Sequence, residues 1–163
     1  MRFTPNPNHG THLPALIKVV NLTDGPILEL GTGLFSTPYL HSACFDKKRK
    51  LISYDNQIDF VNLWEPYQCD YHKIYLVDDW DKIDISGTWS VVLVDHHPNE
   101  RRKEDIKRLV NNADYIVVHD TKDGSDGKYE YSEIYPLFKY RRDFKDAVPF
   151  TTILSNFKDL SNL

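Results

Sequence analysis

The sequence predicts an α/β fold, a three-layer sandwich whose mostly parallel, doubly wound sheet ends in an antiparallel C-terminal hairpin. Three observations predict it. Short apolar runs alternate with stretches of helical spacing. These runs end on glycine, aspartate or histidine. After residues 122–128 the alternation gives way to two strand-like runs separated by only a short turn. With 163 residues, 40% hydrophobic and 13% aromatic, the chain is long enough for one core and too short for two ordinary ones, so residues 1–163 are read as a single domain.

The elements follow in order. Leu13, Leu16, Ile17 and Val20 fall at i, i+3, i+4 and i+7, the stripe of an amphipathic helix that tolerates Pro14 in its first turn. Asp24, Gly25 and Pro26 break it before a strand at 27–30, which Gly31, Thr32 and Gly33 end. A second helix starts near Ser36 with Pro38 early and Leu40, Ala43 and Cys44 behind. Residues 51–54 form the next strand, ending at Asp55, and 58–64 a helix stopped by Pro66. A third strand at 73–77 ends at Asp78 and Asp79. The run 90–94 is continuously apolar and β-branched, as expected of a strand covered on both faces, and ends at Asp95, His96 and His97. Ile106, Leu109, Val110 and Ala113 mark a helix on which Glu104 and Arg108 are spaced to pair. Residues 115–118 form a fifth strand, ending at His119 and Asp120. After a flexible Gly-rich insert at 122–128, residues 137–144 and 150–154 make the hairpin, turning around 145–147.

Composition narrows the function classes. Lys and Arg number 20 against 24 Asp and Glu, a formal charge of -4, so no general basic excess is available to hold a nucleic-acid backbone. The run Lys47, Lys48, Arg49, Lys50 reads as a solvated turn or helix end. Two cysteines, Cys44 and Cys69, lack disulfide-scaffold density and metal-pair spacing, and read as thiols of a reducing compartment. The amino-terminal residues are polar and carry no apolar h-region, and no apolar run approaches the roughly 20 residues of a membrane span. The expectation is a cytoplasmic protein with no membrane or nucleic-acid partner.

Polar residues thus collect at the carboxyl ends of the strands, the edge where open α/β sheets bind ligands. Capping of the following helices is the plainer explanation for any one of them; five in series point to a site. Gly31 and Gly33 let a ligand approach the backbone closely, and Asp55, about twenty residues on, suits a ribose diol. The third glycine of the dinucleotide fingerprint is missing, which favours a nucleoside without phosphates over a pyrophosphate.

The segments 27–36, 51–55 and 91–95 resemble the first, second and fourth strand motifs of the class I, Rossmann-like S-adenosylmethionine-dependent methyltransferases. The resemblance covers nearly the whole chain. It implies that Glu29, Gly31 and Gly33 line the methionine part of the cofactor and that Asp55 holds the ribose hydroxyls. It also implies that Asp78, Asp79 and Trp80 lie by the adenine, where an acid accepts from the amino group and a ring stacks. The activity implied is methyl transfer to a small-molecule acceptor, by in-line displacement at the sulfonium.

A second, local similarity is to the small catechol-type O-methyltransferases, in which acids after the fourth and fifth strands hold a divalent cation. It implies Asp95 and Asp120 as ligands, with Thr121 standing where that subgroup has an asparagine and Pro98 where it has a lysine base. Without a metal, Asp95 would position the acceptor. His119, His96 or His97 would take its proton, an imidazole being able to do so near neutrality. His9 and His12 lie where they can fold over the cofactor. Two alternatives stand beside this reading. Asp95, His96 and His97 also resemble the DHH phosphoesterase signature, although the Asp-x-Asp loop of that family is missing after the first strand. The other is a cofactor-binding module that keeps the fold and has lost transfer.

Overall fold

The computed structural model describes residues 3–122 and 124–163. Met1, Arg2 and Asp123, the last inside the expected Gly-rich insert, lie outside them. One seven-stranded sheet runs through the molecule. Its strands are β1 (Ile27–Leu30), β2 (Leu51–Asp55), β3 (His72–Leu76), β4 (Trp89–Val94), β5 (Ala113–His119), β6 (Tyr140–Phe144) and β7 (Thr151–Ser155), in the order β3-β2-β1-β4-β5-β7-β6. The first five are parallel; β7 runs antiparallel to both β5 and β6. The helices are α1 (Leu13–Asn21), α2 (Ser36–Phe45), α3 (Ile58–Trp64), α4 (Arg101–Leu109) and a single turn, α5 (Asp126–Tyr129). The predicted fold class, with its closing hairpin, is the one observed.

Alternation along the central strands builds two cores. Leu28, Leu30, Val92, Val94, Ile116 and Val118 face one way, against Trp80, Ile106, Leu109 and Tyr131. Ile27, Val91, Leu93, Val117 and Ile153 face the other, against Leu16 and Val19 of α1 and Leu40 and Cys44 of α2. Each strand residue buried in this way contributes about 1.5–3 kcal/mol. Both faces being covered is why β1, β4 and β5 read as continuous apolar runs rather than as an alternation.

Beyond shifts of one residue at strand ends, three boundaries and one pairing differ from the expectation. Leu137, expected at the start of β6, instead closes a 3₁₀ turn, Tyr135–Leu137, in which Pro136 sits in the first turn and supplies no donor, and β6 starts at Tyr140. Ala113 belongs to β5 rather than to the helix stripe, since α4 stops at Leu109 and Trp89 N bonds Asn112 O to start the β4–β5 ladder. The second half of the Gly-rich insert winds into α5. Arg108 pairs with Asp105 at 2.7 Å, and Glu104 with Lys107 at 3.1 Å, in place of the expected Glu104–Arg108 pair.

Strand order reverses between β1 and β4, because β2 and β3 build outward on one side and β5 on the other. A crevice opens at such a point. Register decides which residues meet there: Gly31 N bonds Tyr54 O and Asp95 N bonds Leu30 O, so the Gly turn lies directly beside Asp95.

Candidate active site

Gly31 has φ +90°, and a Cβ there would fall 2.6 Å from the Asp95 carbonyl carbon and oxygen and 2.7 Å from the His96 Cα. Only glycine lets the ends of β1 and β4 approach this closely. The turn is then tied down from below. Thr32 donates from both its backbone N and its Oγ1 to Asp55 Oδ2, at 2.8 and 2.9 Å, while Gln57 N donates to Asp55 Oδ1 at 2.8 Å. Burial raises the Asp55 carboxyl above its ordinary value, against these hydrogen bonds, which favour the anion.

Glu29 lies one layer deeper. It is fully buried and accepts from Thr37 Oγ1 at 3.0 Å and Ser53 Oγ at 2.6 Å; Thr37 Oγ1 in turn accepts from Gly33 N at 2.9 Å. Since the Ser53 proton goes to Glu29, His72 Nε2 donates to Ser53 Oγ at 3.0 Å. Burial pushes the Glu29 carboxyl up to about 7 despite these bonds. Glu29 therefore supports the Gly turn from beneath and does not reach the surface where a cofactor would lie.

A cavity of about 550 Å³ opens over the carboxyl ends of β1, β2, β4 and β5. Of the expected site residues, Gly31, Gly33, Asp55, Asp95, His96, His119 and Asp120 line it; Asp78, Asp79 and Trp80 do not. Asp79 accepts from Asp81 N at 3.0 Å and pairs with Lys82, capping its own turn. Trp80 is buried with its ring centroid 4.2 Å from that of His96.

Arg102 organises the β4–β5 side of this cavity. Its guanidinium reaches Asp95 Oδ1 at 2.9 Å and Asp120 Oδ2 at 3.1 Å, and its Nε donates to His96 O at 2.7 Å. Tyr129 OH, brought in by α5, donates to the same Asp120 oxygen at 2.9 Å. Burial alone would push the Asp95 carboxyl up, but Arg102, then His119, then His12 outweigh it and hold it far below the usual carboxylate range. The cation expected between Asp95 and Asp120 does not fit this arrangement, because the guanidinium already occupies the space between them and bridges the pair.

The histidines divide. His96 donates from Nε2 to Asp105 Oδ2 at 3.0 Å, and Asp105 is also held by Arg101 and Arg108. Burial lowers the His96 pKa against that pairing. It joins the end of β4 to α4. His97 is exposed on the cavity rim. Asp95, His96 and His97 thus turn in three directions, and the adjacent residues of the phosphoesterase-like signature do not converge. His119 Nδ1 faces Asp95 Oδ2 at 3.1 Å and its Nε2 faces Thr11 Oγ1 at 2.9 Å. Burial lowers the His119 pKa, but the bond to Asp95 and the charges of Asp95 and Asp120 outweigh it and the net shift is upward. His12, 2% exposed, has neither ring nitrogen bonded, and burial lowers its pKa to about 4.

Arg102 and Thr11 were not among the expected site residues. Only the position of the Arg101–Arg102 pair just after the fourth strand hinted at one of them.

No protein-family sequence model and no curated protein sequence matches this chain. Solved structures do. The human methyltransferase 10 domain containing protein superposes with a TM-score of 0.60 at 14% identity, over 96% of this chain and 86% of that one. The N-terminal domain of human METTL16 in complex with SAH gives 0.62 at 11% identity, over 96% and 73%. The DhpI–SAH complex gives 0.60 at 12%, over 90% and 84%. The chain has the fold of the class I S-adenosylmethionine-dependent methyltransferases.

Proposed function

We propose that residues 1–163 act as one S-adenosylmethionine-dependent methyltransferase domain with a small-molecule acceptor. The observation that carries this reading is the position of the cavity. It lies at the strand-order reversal, over a glycine turn that presents backbone rather than side chain, with an acid at the end of β2 beside it.

Gly31 and Gly33 admit the methionine end of the cofactor. Asp55 keeps acceptor capacity for the ribose hydroxyls, since a carboxylate has about four lone-pair positions and three are taken. Gln57 and Phe60 line the cavity on the β2 side and supply the polar and flat surfaces that adenine needs. The acceptor would approach from the β4–β5 side, where Asp95 and His119 position it. Transfer breaks the methyl–sulfur bond, leaves its electron pair on sulfur, and uses an acceptor lone pair to form the new bond. Holding donor and acceptor at near-attack distance supplies most of the rate. His97, the exposed one of the three candidate histidines, takes the acceptor's proton.

The small-molecule reading rests on size and charge. The cavity falls within the roughly 300–1,000 Å³ of small-molecule sites. It carries both signs, with Asp55, Asp95 and Asp120 against Arg102 and Lys128. No helix among the described residues is long and apolar enough to cross a membrane.

Calorimetry with S-adenosylmethionine and its demethylated product tests the reading. Binding by the wild type is expected, weakened at least tenfold in Asp55→Ala, with a thermal melt separating loss of the site from loss of the fold. A wild-type chain that binds neither compound refutes it.

A further inference from the structure

The side of the cavity where Arg102 leaves no room for a cation between two carboxylates contains a different set of metal-ligand atoms. His12, Asp95 and His119 each place one such atom within 4.8 Å of the other two, the sole such trio among the described residues. They come from three separate parts of the chain: the turn into α1, the end of β4 and the end of β5.

One observation points to a ligand there, and a second fixes which nitrogen of His119 faces it. The first is His12. Both its ring nitrogens are buried and unbonded, which leaves a desolvation cost of about 1–3 kcal/mol per group uncompensated. Its Nδ1 lies 4.0 Å from Asp95 Oδ2.

The second is a tautomer argument. Thr11 Oγ1 lies 2.7 Å from Pro149 O and 3.3 Å from Asn8 O, and both carbonyls only accept, so the single Thr11 hydroxyl proton is spent on them. Towards His119, 2.9 Å away, Thr11 can only accept; His119 Nε2 therefore carries a hydrogen. In a neutral imidazole that leaves a lone pair on Nδ1, aimed at the acceptor-only oxygen of Asp95 3.1 Å away. Two lone pairs at that distance need a positive species between them, either a second ring proton or a metal ion. The Thr11 contact is the kind of outer hydrogen bond that fixes the tautomer of a ligating histidine.

We propose that His12 Nδ1, Asp95 Oδ2 and His119 Nδ1 bind one divalent ion of the borderline class, zinc or a first-row neighbour, at the wall of the cavity. Bonds of about 2.0–2.1 Å hold tetrahedral ligand atoms about 3.4 Å apart. The Asp95–His119 spacing already meets this, and His12 closes on Asp95 by roughly half an ångström, starting within 4.8 Å of His119. Two imidazoles and one carboxylate select such an ion over magnesium or calcium, which prefer all-oxygen sites. Arg102 stays on the other Asp95 oxygen, Oδ1, and holds the carboxylate in place. The ion's remaining positions face the cavity, the arrangement of a site open to an external ligand. On binding, the ion replaces the proton held between His119 and Asp95, which is released. The site does not depend on methyl transfer and is testable without any cofactor.

The test is metal content and spectroscopy on the full chain. After dialysis against micromolar zinc, about one ion per chain is expected by elemental analysis, with magnesium failing to compete at thousandfold excess. Cobalt loading should give the intense visible bands of a low-coordinate N/O site. His12→Phe, which fills the same volume, and His119→Gln should each weaken zinc binding at least tenfold. His41→Ala, at the separate His41–His72 pair on the far side of β2, should leave it unchanged. Circular dichroism melts of each variant without metal establish that it folds. A stoichiometry near zero, an ion that survives both the His12 and His119 substitutions, or preferential magnesium binding overturns the proposal.

Discussion

Arg102→Met removes the guanidinium while keeping the length of the side chain. Three hydrogen bonds disappear, to Asp95, Asp120 and the His96 carbonyl. The two carboxylates, both less than one-third exposed, are left facing one another without their common partner. Removing one side of a buried pair costs about 3–5 kcal/mol, because the charges left behind are uncompensated. At about 2–4 °C per kcal/mol for a domain of this size, the melting temperature falls by roughly 6–20 °C. Arg102→Lys recovers only part of the loss, since an ammonium cannot span both carboxylates as the fork does. The pH dependence gives a sharper check. In the wild type Asp95 titrates below its unfolded value, so its pairing stabilises the fold fully above the ordinary carboxylate pKa of about 4 and fades as the pH falls below it. In the variant the facing carboxylates gain stability by taking up protons. The gap between the two proteins therefore narrows from pH 7 towards pH 3, as urea unfolding followed by circular dichroism would show. A gap below about 1 kcal/mol at pH 7, or one that does not change with pH, refutes the bridging role given to Arg102.

Glu29 makes the opposite pH prediction. Its carboxyl is raised from 4.5 to about 7 by burial, so the folded state holds a proton that the unfolded chain gives up, and stability falls as pH rises between those values. The shift corresponds to roughly 3 kcal/mol. Glu29→Gln should flatten that slope in calorimetric melts at pH 5 to 8 and be the more stable protein at pH 8; parallel curves would contradict the assignment. Gly31→Ala should destabilise by at least about 1–3 kcal/mol from backbone strain alone, with the overlap onto Asp95 and His96 adding to it. Gly127→Ala, where nothing lies within 4 Å of the added Cβ, serves as its control and should be neutral or slightly stabilising in the same thermal melts. Asp105→Asn loses charge from a carboxylate that His96, Arg101 and Arg108 share, so the end of β4 should exchange its amide hydrogens faster; unchanged protection at Asp95 and His96 would remove His96 from its linking role.

The sheet was legible because its determinants are local. Val91, Val92, Leu93 and Val94 can only be a strand covered on both faces, and Gly31, Thr32 and Gly33 can only end one where backbones crowd. Asp95 and His119 were legible for the same reason, as polar residues at strand ends on the edge that binds ligands. What could not be read is which charges meet. Arg102 and Lys103 are neighbours on α4, yet one is buried against Asp95 and Asp120 while the other reaches Glu130 and Glu133. The rotation of that helix on the sheet decides between them, and it is set by Ile106 and Leu109 packing into the core. Trp80 shows the converse error. Its place after the third strand suits an adenine wall, but an indole beside Ile85, Trp89 and Ile106 gains more by joining that core than by waiting for a ligand. His12 is the most instructive. Its position before the first helix puts it over the cofactor, and only the fold places its ring edge-on to His119 at 4.9 Å, above Asp95. His96 Nδ1 and Trp80 Nε1 are also buried without a partner, but His12 is the ring that has neither nitrogen bonded, a cost that packing does not explain, and an ion shared with its two neighbours is a cause that chemistry supplies.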